Sequence, residues 1–222
     1  MVRLFTVGNW FGAHEVFAPM FKKNVFLVED VRDFSSLAPT KEDVVLFGGG
    51  SDIYPGFYNQ KPSRYNGTST MSVRDAHEES IFQLAKSLDV KMIGICRGAQ
   101  LLCALSGGSL IQHVTNHGGR GHEVETDTGE HIFVSSAHHQ MMNPEGAKHK
   151  MIAWSKENLS NCYLIEKEKN TPLEKEPEVV YFPETKALAI QYHPEFMADN
   201  SRGVSYSREL VSKYLLENSH AV

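Results

Sequence analysis

The chain has 222 residues, 41% hydrophobic and 22% charged, with a formal net charge of −5; this suits one soluble domain with a good core. Basic residues are scattered, and even Lys148-His149-Lys150 is too short for a nucleic-acid-binding face, while no apolar stretch is long enough to span a membrane. The three cysteines, Cys96, Cys103 and Cys162, are odd in number and widely spaced, which excludes a disulfide framework and a zinc-type ligand spacing and points to a reducing, cytoplasmic setting.

In chain order, Leu4–Val7 reads as a first strand rather than a signal peptide, because its apolar run is too short. Gly12 to Phe21 reads as a helix interrupted by Pro19. Val25–Val28 and Val44–Phe47 are the next strands, the latter ending at Gly48-Gly49-Gly50. Residues 54–73, with Pro55, Gly56, Pro62 and Gly67, form a long turn-rich loop. Arg74–Leu88 is the strongest helix: Ile81, Leu84, Ala85 and Leu88 recur at helical spacing, and Asp75 is placed to cap it. Lys91–Ile95 is a buried strand, followed by a helical run from Ala99 to Leu105. Ile132–Ser136, Met151–Trp154 and Val179–Tyr181 look antiparallel. Residues 166–178 are charged and proline-marked, a solvated hairpin tip. Ala187–Ile190 is a last apolar stretch. Strands alternating with helices predict a mainly parallel sheet in one domain over residues 1–222, with no repeats. Ligands of such sheets bind beyond the carboxyl ends of the strands. Gly48–Gly50, Cys96 and His193 all fall at predicted strand ends.

The most informative stretch is Ile93-Gly94-Ile95-Cys96-Arg97-Gly98-Ala99-Gln100. A strand meets a helix there with Cys96 at the bend, the turn that elsewhere exposes a serine nucleophile. A helix N-terminus favours an anion beside it. A lone cysteine at a strand end is ordinarily a buried apolar residue, but Gln191-Tyr192-His193-Pro194-Glu195-Phe196 supplies company. A cysteine nucleophile needs a base, and the base needs a group to orient it. His193 and Glu195 are two apart, so an extended backbone turns both to one face.

These segments resemble the class I glutamine amidotransferase fold with its Cys-His-Glu triad. Phe47-Gly48-Gly49-Gly50-Ser51-Asp52-Ile53-Tyr54-Pro55, Tyr58, Arg74-Asp75, Gly107-Gly108-Ser109-Leu110 and Ser136-Ala137-His138-His139-Gln140 look like the γ-glutamyl hydrolase branch, which includes γ-glutamyl-γ-aminobutyrate hydrolases. The likeness runs in matching order from about residue 44 to residue 196. It implies a three-layer α/β sandwich with a mainly parallel central sheet, flavodoxin-like in arrangement. It also implies catalysis by Cys96, His193 and Glu195 through a γ-glutamyl thioester, with no metal or organic cofactor.

The glycine run lacks the Lys-Ser/Thr ending of a P-loop and the spacing of a dinucleotide fingerprint. An oxyanion hole suits it better, since backbone N–H groups can meet the charge formed in the tetrahedral intermediate. The resemblance assigns the donors to Gly49 or Gly50 and to Arg97. It assigns the glutamyl moiety to Gln100, Ser135, Ser136, Ala137 and His138, although Ser135 stands where the family pattern often has Asn. His113, His117, His122, His131, His138 and His139 are dense, yet no recognised metal-ligand spacing appears. His138 and His139 face opposite sides of an extended strand, and His117–Glu123 reads as a loop lining the pocket. Cys103 and Cys162 read as core.

Three functions fit this pattern. The first is a stand-alone hydrolase of a small γ-glutamyl compound. The second is a glutaminase subunit that passes ammonia to a separate synthetase partner. The third is a non-catalytic regulatory module, against which the intact triad argues. Glutamine or a small γ-glutamyl compound is the expected ligand; the leaving amine and any homo-oligomer are not legible from the residues.

Overall fold

Short apolar runs bounded by turns become strands, and the computed structural model describes residues 2–8, 11–165 and 173–217. Its strands are β1 (Leu4–Val7), β2 (Val25–Val28), β3 (Val44–Phe47), β4 (Lys91–Ile95), β5 (Ser109–Ile111), β6 (His113–Val114), β7 (His122–Thr126), β8 (His131–Val134), β9 (Met141–Asn143), β10 (Lys150–Ser155), β11 (Tyr163–Leu164), β12 (Pro177–Phe182) and β13 (Ala187–Ile190). The α-helices are α1 (Ala13–Phe17), α2 (Val31–Ser36), α3 (Val73–Ser87), α4 (Arg97–Leu105) and α5 (Arg202–Val211).

One nine-stranded sheet runs β2-β1-β3-β4-β13-β12-β10-β7-β8. Its first five strands are parallel, and β12, β10, β7 and β8 continue it antiparallel. This is the α/β architecture the alternating segments predict, including the change of direction in the second half. Side chains of the central strands alternate between two cores. Leu4, Val44, Leu46, Ile93, Ile95, Leu188 and Ile190 pack with α1 and α5 on one face. Phe5, Val45, Phe47, Met92, Ala187 and Ala189 pack with α3 and α4 on the other. Helices on both faces of the sheet give three layers.

Local signals explain most elements. The predicted helix over 12–21 is α1 followed by a 3-10 turn at Ala18–Phe21, with Pro19 inside that turn. The cap of α3 differs from expectation. Ser72 is the N-cap, and Asp75 returns the bond to the Ser72 backbone N–H, completing a capping box. Two helices have no counterpart in the sequence reading: α2, capped by Asp30, and α5, capped by Ser201. The predicted loop over 54–73 contains a 3-10 turn at Pro55–Tyr58. Of the expected hairpin tip over 166–178, residues 166–172 lie outside the described residues, and Pro177 and Glu178 already belong to β12. Among the described residues, no helix is long and apolar enough to cross a membrane.

The topology places three segments side by side. β3, β4 and β13 are neighbours and parallel, so the glycine run after Phe47, Cys96 after Ile95 and His193 beyond Ile190 emerge at the same edge.

Candidate active site

Cys96 sits between β4 and α4 with φ 50° and ψ −103°. Positive φ is costly for a residue with a Cβ, and such strain persists only where the surroundings enforce it. Here the Cys96 N–H donates to the Ile190 carbonyl at 2.8 Å, and the Cys96 carbonyl accepts from Gln100 N at 3.0 Å. The elbow is therefore clamped to β13 on one side and to the helix on the other. Two glycines allow it. A Cβ on Gly98 would collide with the Phe47 carbonyl, and one on Gly94 would meet the backbone of Gly98 and Ala99.

His193 Nδ1 donates to Glu195 Oε1 at 2.7 Å, and both side chains are buried. The bond fixes the tautomer and leaves Nε2 as the nitrogen that exchanges a proton. Burial pushes the imidazole toward its neutral form, but the Cys96 sulfur and the Glu195 carboxylate outweigh it and raise its pKa to about 10. Ser135 holds the His193 backbone: its hydroxyl donates to the His193 carbonyl at 2.6 Å and accepts from the His193 N–H at 3.0 Å. The Phe196 ring stacks on His193 with centroids 4.3 Å apart.

The glycine loop lies against this histidine. A Cβ on Gly49 would approach His193 Cε1 to 2.7 Å. Gly50 has φ 147°, a conformation side chains rarely adopt, and a Cβ there would strike the Arg74 guanidinium. Arg74 Nη2 donates to the Gly48 and Gly49 carbonyls, each at 3.0 Å. Arg74 Nε is bonded to Glu78 Oε1 at 2.7 Å, and Glu78 in turn pairs with Arg97. Arg97, fully buried, also meets Asp75 Oδ1 at 2.6 Å. One ionic chain on α3 thus ties the glycine loop to the first residue of α4. Arg74 and Asp75 were visible as a motif, but this holding role was not. Its sequence signal is the i, i+4 pair Arg74/Glu78 on the face of α3 turned to the sheet.

Of the residues assigned to the substrate, Gln100, Ser136 and His138 are buried. The Gln100 side chain donates to the Gln140 carbonyl at 3.1 Å. The Ser136 hydroxyl donates to the His117 carbonyl at 2.7 Å, and the Ser135 hydroxyl is spent on His193. Ala137 is exposed and bridges Gly118. His138 departs from expectation: its ring is buried, bonds the Gln140 carbonyl through Nδ1 at 2.8 Å and faces Glu178. The segment 117–123 departs in part. His117 turns fully inward, His122 and Glu123 line a pocket with Lys156, Glu157 and Leu159, and His117, His138 and Glu178 bring ligand-type atoms within 4.8 Å of one another. Spacing could not reveal this, because the residues come from separate segments. His139 is exposed and pairs with Asp52, facing away from His138 as expected. Cys103 is buried and Cys162 half-buried.

Known proteins resemble this chain in sequence and in fold. The glutamine amidotransferase-like protein YvdE of Lactococcus lactis subsp. lactis is 25% identical over 187 residues, covering 75% of this chain and 70% of YvdE. The glutamine amidotransferase Rv2859c of Mycobacterium tuberculosis is 25% identical over 197 residues, covering 80% of this chain and 58% of that protein. Among solved structures, a protein described as a GMP synthase subunit from Thermoplasma acidophilum superposes with a TM-score of 0.62 at 15% identity, over 97% of this chain and 92% of that one. A glutamine amidotransferase from Thermotoga maritima superposes with a TM-score of 0.57 at 18% identity, over 97% and 89%. The sequence profile of the peptidase C26 family matches residues 25–163, more than half of the chain. With the fold and the relatives in agreement, the chain belongs to the peptidase C26 family, within the class I glutamine amidotransferase-like superfamily.

Proposed function

We propose that the protein is a cysteine-dependent hydrolase that cleaves the γ-glutamyl amide bond of a small γ-glutamyl compound and releases glutamate. The observation that carries this reading is the strained Cys96 elbow beside a buried His193 bonded to Glu195 at 2.7 Å. The Cys96 sulfur attacks the δ-carbonyl carbon, and the carbonyl π electrons move to oxygen. Backbone N–H groups of Gly49 or Gly50 and of Arg97 meet that oxyanion; losing one such donor raises the barrier by about 3 kcal/mol. As the intermediate collapses, the C–N bond breaks and His193 protonates the departing amine or ammonia. A γ-glutamyl thioester remains on Cys96. Neutral His193 then takes a proton from water, the hydroxide attacks the thioester, and the Cys96 sulfur leaves with the C–S electron pair. Gln100 and the segment Ser135–His138 stand beside this centre. No step calls for a metal or an organic cofactor, and the three unpaired cysteines suit a reducing, cytoplasmic setting.

A glutaminase half that hands ammonia to a synthetase would share the first half-reaction, and the Thermoplasma GMP synthase subunit has the same fold. One experiment separates the two. Glutamate release is measured from glutamine, γ-glutamyl-γ-aminobutyrate, γ-glutamyl polyamines and poly-γ-glutamate, each against Cys96→Ala. Rapid turnover of one compound, absent in Cys96→Ala with an unchanged circular dichroism spectrum, is the expected result. Full activity in Cys96→Ala sinks the mechanism. A folded wild-type protein silent on the whole panel favours the partner-dependent glutaminase.

A further inference from the structure

We propose that His117, His138 and Glu178 form a buried site for Zn2+, which staples the antiparallel half of the sheet beside the strand that leads to His193. The three residues arrive from the loop before β7, the segment after β8, and β12. All are buried.

Hydrogen-bond directions carry the inference. His117 Nε2 lies 3.0 Å from Glu176 Oε2. Glu176 also accepts from Leu159 N, Ser160 N and the Tyr163 hydroxyl, as an ionised carboxylate does. It can only accept, so in the neutral ring His117 Nε2 carries the proton and Nδ1 keeps its lone pair. The Ser136 hydroxyl is 3.5 Å from that Nδ1, but its one hydrogen is given to the His117 carbonyl at 2.7 Å. His138 repeats the pattern. Its Nδ1 donates to the Gln140 carbonyl at 2.8 Å, leaving a lone pair on Nε2, which is buried without a partner. Both lone pairs point toward Glu178 Oε1, each at 3.7 Å. Acceptor faces acceptor, and neither oxygen of Glu178 has a hydrogen bond among the described residues. His122 Nε2 is 3.0 Å from the same oxygen, yet it too makes no hydrogen bond of acceptable geometry.

A cation among these atoms turns every repulsive contact into a bond. Zinc binds imidazole nitrogen and carboxylate oxygen at about 2.0–2.2 Å in a tetrahedron, which sets neighbouring ligand atoms roughly 3.3–3.6 Å apart. Glu178 Oε1 stands 3.7 Å from His117 Nδ1 and 3.7 Å from His138 Nε2, close to that edge, and the three ligand atoms all lie within 4.8 Å of one another. Two nitrogens and one oxygen suit Zn2+ better than the harder Mg2+ or Ca2+. The outer partners, Glu176 on His117 and the Gln140 carbonyl on His138, are of the kind that orient metal-bound imidazoles elsewhere. The Glu178 carbonyl accepts from Gln191 N at 2.8 Å, two residues before His193.

The test uses the full chain carrying Cys96→Ala, so that the active-site thiol cannot hold the ion. Metal content is measured by plasma mass spectrometry. The stripped protein is then titrated with ZnCl2 and CoCl2 while Tm and the visible spectrum are followed. The expected results are one zinc per chain, a Tm lower by several degrees after chelation and restored by one equivalent of ZnCl2, and the intense visible bands of four-coordinate Co2+. Adding His138→Asn with Glu178→Gln should reduce zinc uptake at least tenfold. Stripped Cys96→Ala protein that is folded but takes up neither Zn2+ nor Co2+ would leave a histidine–glutamate hydrogen-bond network alone and overturn the proposal. Undiminished zinc in the folded double variant would place the ion elsewhere, with the same consequence. The titration of the parent protein decides the matter even where the double variant fails to fold.

Discussion

Burial drives an imidazole toward its neutral form, yet at His193 the Cys96 sulfur and the Glu195 carboxylate prevail and hold the proton up to about 10. The proton is present below that value and lost above it, and the leaving amine needs it. In the proposed reaction the alkaline fall of kcat/KM is therefore set by the Cys96–His193 pair and lies near that value. Glu195→Gln keeps the shape and removes the negative partner, so the fall should move to lower pH, with kcat at pH 8 reduced roughly 10²–10⁴-fold. A pH profile of the variant that overlays the wild type would show that Glu195 does not support the base. These three residues were legible because each sits in a short local pattern, an elbow after a strand and a His-Pro-Glu turn. The side chains around them were not. Ser135 is spent on the His193 backbone and His138 on Gln140, and such pairings arise from strand order, which residue spacing does not encode.

Between β3 and α4 there is no room for a side chain. A Cβ on Gly98 would strike the Phe47 carbonyl oxygen, with its carbon at 2.6 Å and Phe47 Cβ at 2.9 Å. Relief requires α4 to lift from β3, and that moves Cys96 at one end of the contact and the glycine loop after Phe47 at the other. Gly98→Ala should therefore cost about 1–3 kcal/mol of stability, read as about 2–4 °C of Tm per kcal/mol for a chain of this size. Activity should fall further than Tm implies, since a displacement of about 1 Å at reacting atoms costs roughly 10²-fold. Wild-type Tm and kcat together would refute the close approach. The same scale shows where elements could be read. β1, β2, β3 and β13 are four-residue apolar runs and were legible with their bounds. The helix α2 is six residues long with Phe34 as its buried residue, too short for periodicity to register. The buried face of α5 mixes Val204, Tyr206, Leu210 and Val211 with Gly203 and Ser207, so its apolar stripe is interrupted.

Across the whole molecule the chemistry gathers at the carboxyl ends of β3, β4 and β13, which leaves the opposite edge of the sheet free to serve stability. There Asp43, which precedes β3, accepts from Arg3 N at 3.0 Å, Arg3 Nη2 at 2.6 Å and Thr40 N at 2.8 Å, while Arg3 also donates to the Leu37 carbonyl at 2.7 Å. Burial alone would raise the Asp43 carboxyl, but the bonds from Arg3 and Thr40 prevail and hold it below the ordinary carboxylate value. A carboxyl lowered on folding contributes stability above its unfolded pKa, about 3.9, and loses it as pH falls through the folded value. Asp43→Asn should therefore be destabilised at pH 7 by about 1.5–3 kcal/mol, the worth of hydrogen bonds to a charged group. The gap to wild type should begin to narrow as pH drops below about 4, where the unfolded carboxyl takes up its proton first, and should close only as pH passes the lower folded value. Denaturant unfolding of both proteins from pH 7 to pH 3 measures this, and a gap independent of pH would assign the effect to packing instead of charge. Because Asp43 stands at the far edge from Cys96, kcat and KM at pH 7 and 25 °C should match wild type. A loss of kcat in folded Asp43→Asn would mean that strain at the base of β3 reaches the glycine loop along the strand.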